Sequence, residues 1–548
     1  MSLSHPKFKK VIFYDHQPLT KGKYKNETSQ MALKKLCFIK TLKLTSTREY
    51  SCWSACNSPN GLKRIMKLCR KFKTSFDIPP KLFTPLKMAC LDNLSVMYPS
   101  KTSFTLLKRI DKKRHLSRLN INVTTENYHP KLVKNAIANI KRSPIISKFR
   151  LNFQKKPLYI PTEKEISKIS QAIGNIKELK TLKLDTNYFA KSYHTKTIFK
   201  AISGWNVANL KILIDLRAIP QENLALALSN LASVKSLRSF DMEWTNVETG
   251  GITSYMGEIA KAFQVFLKNQ AKLNALRFGH PSTQDLCSLA EVYKSIGRLK
   301  CLESLSLTPN AGEWKEIDVD SFISSLGGHR HLKRLELHFS ELPKTNLEQF
   351  YKKLNTGLQS IKKLEKLRLT GTKIPGFSID DPLGLKDVFR SLLKLEFCLS
   401  LQHAKGKSEP SHFTKLIASC EKLEELILGI NPTGVTNEKD LSVITTAIGG
   451  LSKLVILDFS LGRIKREGLK NIFASALENL QGLYAFRIRL NESYFNDEEI
   501  QYLGELLVKK EKLRSVFIAG NYPSISPDLK TWFVSTLRTH GIKTPPLT

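Results

Sequence analysis

The stretch Leu423-Glu424-Glu425-Leu426-Ile427-Leu428-Gly429-Ile430-Asn431 decides the fold, because its pattern, Leu-x-x-Leu-x-Leu-x-x-Asn, returns about every thirty residues. It stands at Leu179/Leu182/Leu184/Asn187 and again at Leu302/Leu305/Leu307/Asn310. Looser copies with Ser or Thr in the last slot lie at Leu332/Leu335/Leu337/Ser340, Leu364/Leu367/Leu369/Thr372 and Leu392/Leu395/Phe397/Ser400. Further copies follow at Leu454/Leu457/Phe459, Leu483/Phe486/Ile488/Asn491 and Leu513/Val516/Ile518/Asn521. From Leu273 onward the first Leu recurs at spacings of 29, 30, 32, 28, 31, 31, 29 and 30. A fixed period of that length means a stacked solenoid, since one unit cannot bury its own apolar face and relies on its neighbours to cover it. Such a chain is built to present a surface. The sequence therefore points to a binding scaffold rather than an enzyme.

Within each phrase the fourth and sixth positions alternate as a strand requires, so their side chains fall on one buried face. A buried Asn in the ninth slot could bond the loop backbone leaving the strand, as a ladder along the stack. Between phrases the period changes: Leu469, Ile472, Phe473 and Ala476 sit at helical spacing, as do Ile166, Ile169 and Ile173. Each unit is thus expected to be a strand followed by a helix. Helices are wider than strands, so the stack is expected to curve with its helices outside.

The pattern resembles the ribonuclease-inhibitor-like class of leucine-rich repeat proteins. The best copy runs from Leu454 to Leu477, where Ile464 and Gly468-Leu469 stand at that class's second-half Ile and Gly-Leu. The resemblance implies an α/β leucine-rich repeat solenoid, a curved parallel sheet with outer helices, that binds proteins on its strand face. The contacts would then be exposed strand positions: Lys180, Lys183, Glu303, Arg334, Glu336, Lys366, Arg368, Glu424 and Arg487. Departures from the pattern are plain. Gly462 and Pro281 occupy Asn slots, and the gap from Leu237 to Leu273 stretches to 36.

Upstream the pattern fades. Ile146/Phe149/Leu151, Leu116/Leu119/Ile121/Thr124 and Leu91/Leu94/Val96 fit the strand template, and Leu42/Leu44/Thr47 fits it loosely. The organisation expected is a basic extended arm over 1–60, a basic helical cap with degenerate first repeats over 61–145, and the solenoid over 146–548. A separate amino-terminal domain ending near residue 145 is the alternative. Atypical end repeats are also what a solenoid's caps require.

The 548 residues carry a formal charge of +39, and its distribution is uneven. Residues 1–160 hold 34 Lys+Arg against 7 Asp+Glu, or +27, whereas the remaining 388 hold 53 against 41, or +12. That asymmetry points to a polyanion bound at one end. Three clusters carry it. Lys7, Lys9 and Lys10 open a tail interleaved with Phe8, Phe13, Tyr14 and Tyr24. Leu62 to Phe72 reads as a basic amphipathic helix bearing Lys63, Arg64, Lys67, Arg70 and Lys71. Lys108, Arg109, Lys112, Lys113 and Arg114 precede a candidate strand, and Lys141 and Arg142 approach the next.

RNA rewards such clusters most, because every neutralised phosphate releases counterions and single-stranded bases stack on aromatics. An acidic protein filament would attract the same face, and an anionic membrane fits it least. Solvated lysines and core aromatics are the bland reading of each residue taken singly.

No run approaches the ~18 apolar residues of a membrane-spanning helix. Met1 to Phe13 lacks the apolar stretch of a secretory signal, and its lysines suit a mitochondrial presequence except that Pro6 interrupts it and arginine is missing. Nine scattered cysteines fit a reducing compartment, either the mitochondrial matrix or the cytoplasm and cytoskeleton. The acceptor triplets at Asn26 and Asn122 are then chance matches.

Chemistry has little support. Cys52, Cys56 and Cys69, with His16 or Cys90, offer only one close ligand pair where structural zinc needs two. Gly406-Lys407-Ser408 lacks the first glycine of a phosphate loop, having Leu401 in its place. His329 and His331 flank Arg330 without an acidic partner and read as surface residues. No enzyme, cofactor or metal site is expected. Three functions follow in order: a structural subunit of a large ribonucleoprotein such as a mitochondrial ribosome, a protein held on an acidic filament such as a microtubule, and a soluble adaptor or inhibitor.

Overall fold

The computed structural model describes residues 147–154, 162–174, 176, 179–185, 197–198, 200–201, 204–215, 221–245, 256–279, 290–308, 316–339, 347–371, 387–399, 410–436, 438–464, 469–521 and 525–545. It also describes the short strands 11–13, 42–44, 76–77, 93–97 and 118–124. The chain divides into two compact units, residues 1–272 and 273–548.

In the first unit, β1 (Val11–Phe13) pairs in parallel with β2 (Leu42–Leu44). A second ladder runs in sequence order through β3 (Phe76–Asp77), β4 (Asn93–Met97), β5 (Arg118–Thr124), β6 (Lys148–Gln154), β7 (Thr181–Asp185), β8 (Asn209–Asp215) and β9 (Ser239–Thr245), every pairing parallel. Helices α1 (Glu163–Gly174), α2 (Gln221–Leu231) and α3 (Met256–Lys268) belong to this unit. Ile166 and Ile173 of α1 are buried, as their spacing requires.

The second unit is the regular one. Its strands are β10 (Ala275–Gly279), β11 (Ser304–Thr308), β12 (Arg334–Phe339), β13 (Lys366–Gly371), β14 (Lys394–Leu399), β15 (Glu425–Thr436), β16 (Ile456–Ile464), β17 (Ala485–Tyr494) and β18 (Ser515–Asn521). Between them come α4 (Ala290–Gly297), α5 (Glu316–Gly327), α6 (Leu347–Gln359), α7 (Pro410–Ala418), α8 (Glu438–Gly449), α9 (Leu469–Leu477) and α10 (Asp497–Val508), with α11 (Pro527–Thr539) last. Neighbouring strands are consecutive in sequence and parallel, which a helical crossover permits and a tight turn does not. β15 runs on through Asn431 and takes a register shift against β16 after Ile430.

Register explains the leucine pattern. Leu276, Leu305, Leu335, Leu367, Leu395, Leu426, Leu457, Phe486 and Val516 lie side by side across the nine strands, and all are buried. Two residues on, Phe278, Leu307, Leu337, Leu369, Phe397, Leu428, Phe459, Ile488 and Ile518 form a second buried ladder. The first leucine of every phrase from Leu273 to Leu513 is 0% exposed. Each such side chain is worth roughly 1.5–3 kcal/mol of burial. One repeat could not collect that alone, because the walls of each layer belong to its neighbours.

Helices stack as tightly as the strands pair. A Cβ on Gly449, where α8 ends, would run into the backbone oxygen of Ser475 in α9. One on Gly328, just past α5, would run into the oxygen of Gly297. Only glycine lets these helix ends approach so closely. Asp318 of α5 is buried and accepts from the backbone N–H of Ala290 at 3.1 Å, capping α4 from the next repeat. Asn496 and Glu499 form a reciprocal capping box on α10, at 2.8 and 3.0 Å.

The last strand has the start of its edge covered. Gly541, with φ +73°, turns the chain after α11, and Ile542 N–H closes back onto Leu537 O at 2.9 Å. Val516 N–H then donates to Lys543 O at 2.8 Å, and Lys543 N–H to Arg514 O at 2.9 Å. A bare parallel edge would invite another strand, and this segment occupies its first residues.

One buried slot departs from the apolar rule. Three residues before each first leucine the chain leaves its helix, and this position is buried leucine or isoleucine at Leu299, Ile361, Leu451 and Leu480. Gln270, His329 and Lys510 take the same slot and are equally buried. Gln270 donates to Leu231 O and Ala232 O at 3.3 and 3.5 Å, and Lys510 Nζ to Glu478 O at 2.7 Å. Both satisfy carbonyls left over at the end of the helix one repeat back. His329 was expected on the surface, and this slot buries it to 1% exposure. The reason is register, not composition: the strand that follows fixes the slot inward whatever residue fills it.

Candidate protein-binding surface

Since two positions of each strand point inward, the alternate ones line the opposite, open face. In the second unit the residues just before each of the two buried ladders form their own in-register rows. One reads Ala275, Ser304, Arg334, Lys366, Lys394, Glu425, Ile456, Ala485, Ser515, and its neighbour Arg277, Ser306, Glu336, Arg368, Glu396, Ile427, Asp458, Arg487, Phe517.

The expected contact residues fall into place within this frame. Glu336, Arg368 and Arg487 share the second row, and Arg334 and Lys366 are adjacent in the first. Glu303 and Glu424 sit just before their strands, at the margin of the face rather than on it. Lys180 and Lys183 belong to the first unit, Lys180 before β7 and Lys183 within it, in register with Lys211 of β8. The fifteen basic residues expected on RNA, from Lys7 to Arg142, lie outside the described residues. So does the amphipathic segment Leu62 to Phe72. Cys52, Cys56, Cys69, Cys90 and Gly406 to Ser408 lie outside them too.

Charge on the open face is arranged across strands. Arg368 Nε meets Glu396 at 2.9 Å, Lys394 Nζ meets Glu425 at 2.6 Å, and Ser306 donates to Glu336 at 3.1 Å. At the margin Lys333 meets Glu303 at 3.2 Å. In the first unit Lys211 bridges Asp241 and Glu243 at 2.8 and 2.6 Å. Exposed pairs like these contribute about 0–1 kcal/mol each. They set the pattern a partner must match more than they hold the fold.

Asp458 is the exception, being 5% exposed on its side chain although it lies on the open face. Arg489 grips it with both Nη atoms, at 3.0 and 3.3 Å, and Arg487 approaches at 3.6 Å. Two guanidiniums over one carboxylate leave a net positive charge there. Arg334 and Lys366, side by side in register, make no ion pair among the described residues. Like charges opposed on neighbouring strands cost stability.

Ionisation elsewhere follows burial. The Cys420 thiol is pushed up to about 12 by burial and stays protonated and inert. Burial lowers His338, with Arg368 adding to the effect, and its Nδ1 lies 2.8 Å from Thr370 Oγ1. Among the described residues no group of His, Cys, Asp or Glu could hold a metal ion. No helix among them is long and apolar enough to cross a membrane.

The strand–helix repeat with these buried ladders defines a leucine-rich repeat α/β solenoid. No protein-family model matches the chain, and no curated protein matches it. Among solved structures it is similar to the leucine-rich repeat-containing protein LegL7 from Legionella pneumophila, at 16% identity and a TM-score of 0.32. That match covers 69% of this chain and 97% of LegL7. The class rests on the repeat and register described above.

Several surface residues escaped the sequence reading. Lys211, Asp241 and Asp458 occupy the same alternating slots as the residues singled out, and Arg489 lies one alternation further along β17. Their signal in the sequence is a charged residue at an alternating position of the phrase.

Proposed function

We propose that this chain is a non-enzymatic interaction scaffold that seats protein neighbours on the open faces of its strand ladders, and that it serves as a structural subunit of a large ribonucleoprotein such as a mitochondrial ribosome. The observation that carries the first half is the open face of the second unit, with its in-register rows of charge. Solenoids use such extended faces for binding. The second half is supported by the +27 charge of residues 1–160. RNA is favoured over an acidic filament because clustered lysines gain most from counterion release.

The test is binding of a labelled single-stranded 20-nucleotide RNA to the full chain across a salt series. Lys108, Arg109, Lys112, Lys113 and Arg114 would be replaced together by alanine. If these side chains meet phosphates, the plot of log K against log salt should flatten by up to roughly 3.5, at about 0.7 per contact. An unchanged slope would remove this cluster from RNA contact.

A further inference from the structure

At the margin of the open face the last repeats change character. The residue two places before the first buried strand position is Asn274, Glu303, Lys333 and Glu365 in the early repeats of the second unit, then Leu393 and Glu424. In the final three it becomes Val455, Tyr484 and Arg514. Val455 and Tyr484 are 37% and 52% exposed, and Phe517, further along the open face of β18, is 38% exposed. These three are among the few large apolar residues the described chain leaves in solvent. Val455 and Tyr484, together with Lys453, Lys512 and Arg514, shape a shallow groove of about 630 Å³.

The groove is polar at both ends and the signs differ. Lys512 and Arg514 stand at one end and Glu424 at the other. Lys453 and Lys512 make no ion pair among the described residues. Arg514 spends one Nη on the carbonyls of Glu511 and Leu513, at 2.7 and 2.8 Å, which holds its stem across the helix exit. Three neighbouring strands at roughly 4.8 Å spacing make the groove ~10 Å wide, enough for a few residues of extended chain.

From this we infer that the margin of β16 to β18 is a docking groove for an acidic protein segment carrying an apolar side chain. The apolar group would cover Val455 and Tyr484, and the carboxylates would meet Lys512 and Arg514. A phosphate chain fits less well, since Glu424 bounds the groove on its other side and would repel a charge repeated at every nucleotide. A peptide can concentrate its charge at one end. The inference rests on the scaffold reading and narrows it to one surface and one partner chemistry.

The experiment uses the full chain and a 12-residue peptide of alternating glutamate and leucine, with a photoreactive benzophenone at its centre. Its controls are the same peptide with lysine for glutamate and a 12-nucleotide oligouridylate competitor. Crosslinks are expected within 453–456, 482–485 or 512–517, with at least a tenfold loss in the variant Tyr484→Ala, Lys512→Glu. Both changed residues are solvent-facing, so the melting temperature should hold and serves as the check on folding. Crosslinks confined to residues 1–160, no crosslinks at all, or equal displacement by oligouridylate would overturn the groove. Crosslinks that move to the Arg334 and Lys366 row would also overturn it while leaving the scaffold reading intact.

Discussion

Replacing Phe322 with alanine is expected to destabilise the second unit by about 3–5 kcal/mol, the usual cost of removing a fully enclosed aromatic ring. Phe322 is 0% exposed in α5, and its ring meets that of Tyr293 in α4 edge-on, with centroids 5.2 Å apart. The ring therefore belongs to two repeats at once, and the aromatic pair adds roughly 0.5–1.5 kcal/mol beyond area alone. Because each repeat touches only its neighbours, the damage should be local. Hydrogen exchange should show lost protection in α4, α5 and β10 to β12, while β17 and β18 stay protected. A uniform loss across the unit, or a cost below about 1 kcal/mol, would contradict the layered account of the core.

The second large effect is a response to acid. Burial pushes His329 down from 6.5 to about 4, and nearby Lys300 adds to this while the Leu299 backbone opposes it. Neither ring nitrogen finds a hydrogen-bond partner among the described residues. The unfolded chain binds a proton near pH 6.5 and the folded chain only near 4, so the unfolded state holds more protons between them. The stabilisation is fully present above about 6.5 and is lost as pH falls toward 4, to a total of about 3 kcal/mol. Chemical denaturation from pH 7.5 to 4 should show that slope, and His329→Leu should remove it. Leucine is what Leu299 and Leu480 place in the same slot, so the variant should also be more stable at neutral pH. An identical slope in His329→Leu would assign the acid response elsewhere.

Much of the second unit was legible because its signal is redundant. Each phrase repeats the same inward positions, so the buried ladders from Leu276 to Val516 and from Phe278 to Ile518 are fixed many times over. Helical spacing alone placed Leu469, Ile472, Phe473 and Ala476 in the core. Polar residues in apolar slots defeat that logic. His329 looked like a surface residue beside Arg330, and only its place three residues before Leu332 shows otherwise. Gly328 and Gly449 were equally silent, because the atom that excludes a side chain lies in another repeat. The groove was hidden for a related reason. Val455, Tyr484 and Lys512 are about thirty residues apart in sequence and become neighbours only through parallel register.

We propose above all that this solenoid works as a scaffold within an RNA-containing assembly. Native purification from cells at low salt, with and without ribonuclease, followed by mass spectrometry of what stays bound, tests it most directly. The account predicts RNA in the untreated sample and loss of the associated proteins on nuclease treatment. A protein set that survives nuclease unchanged would contradict it, and would turn attention to an acidic filament or a single soluble partner.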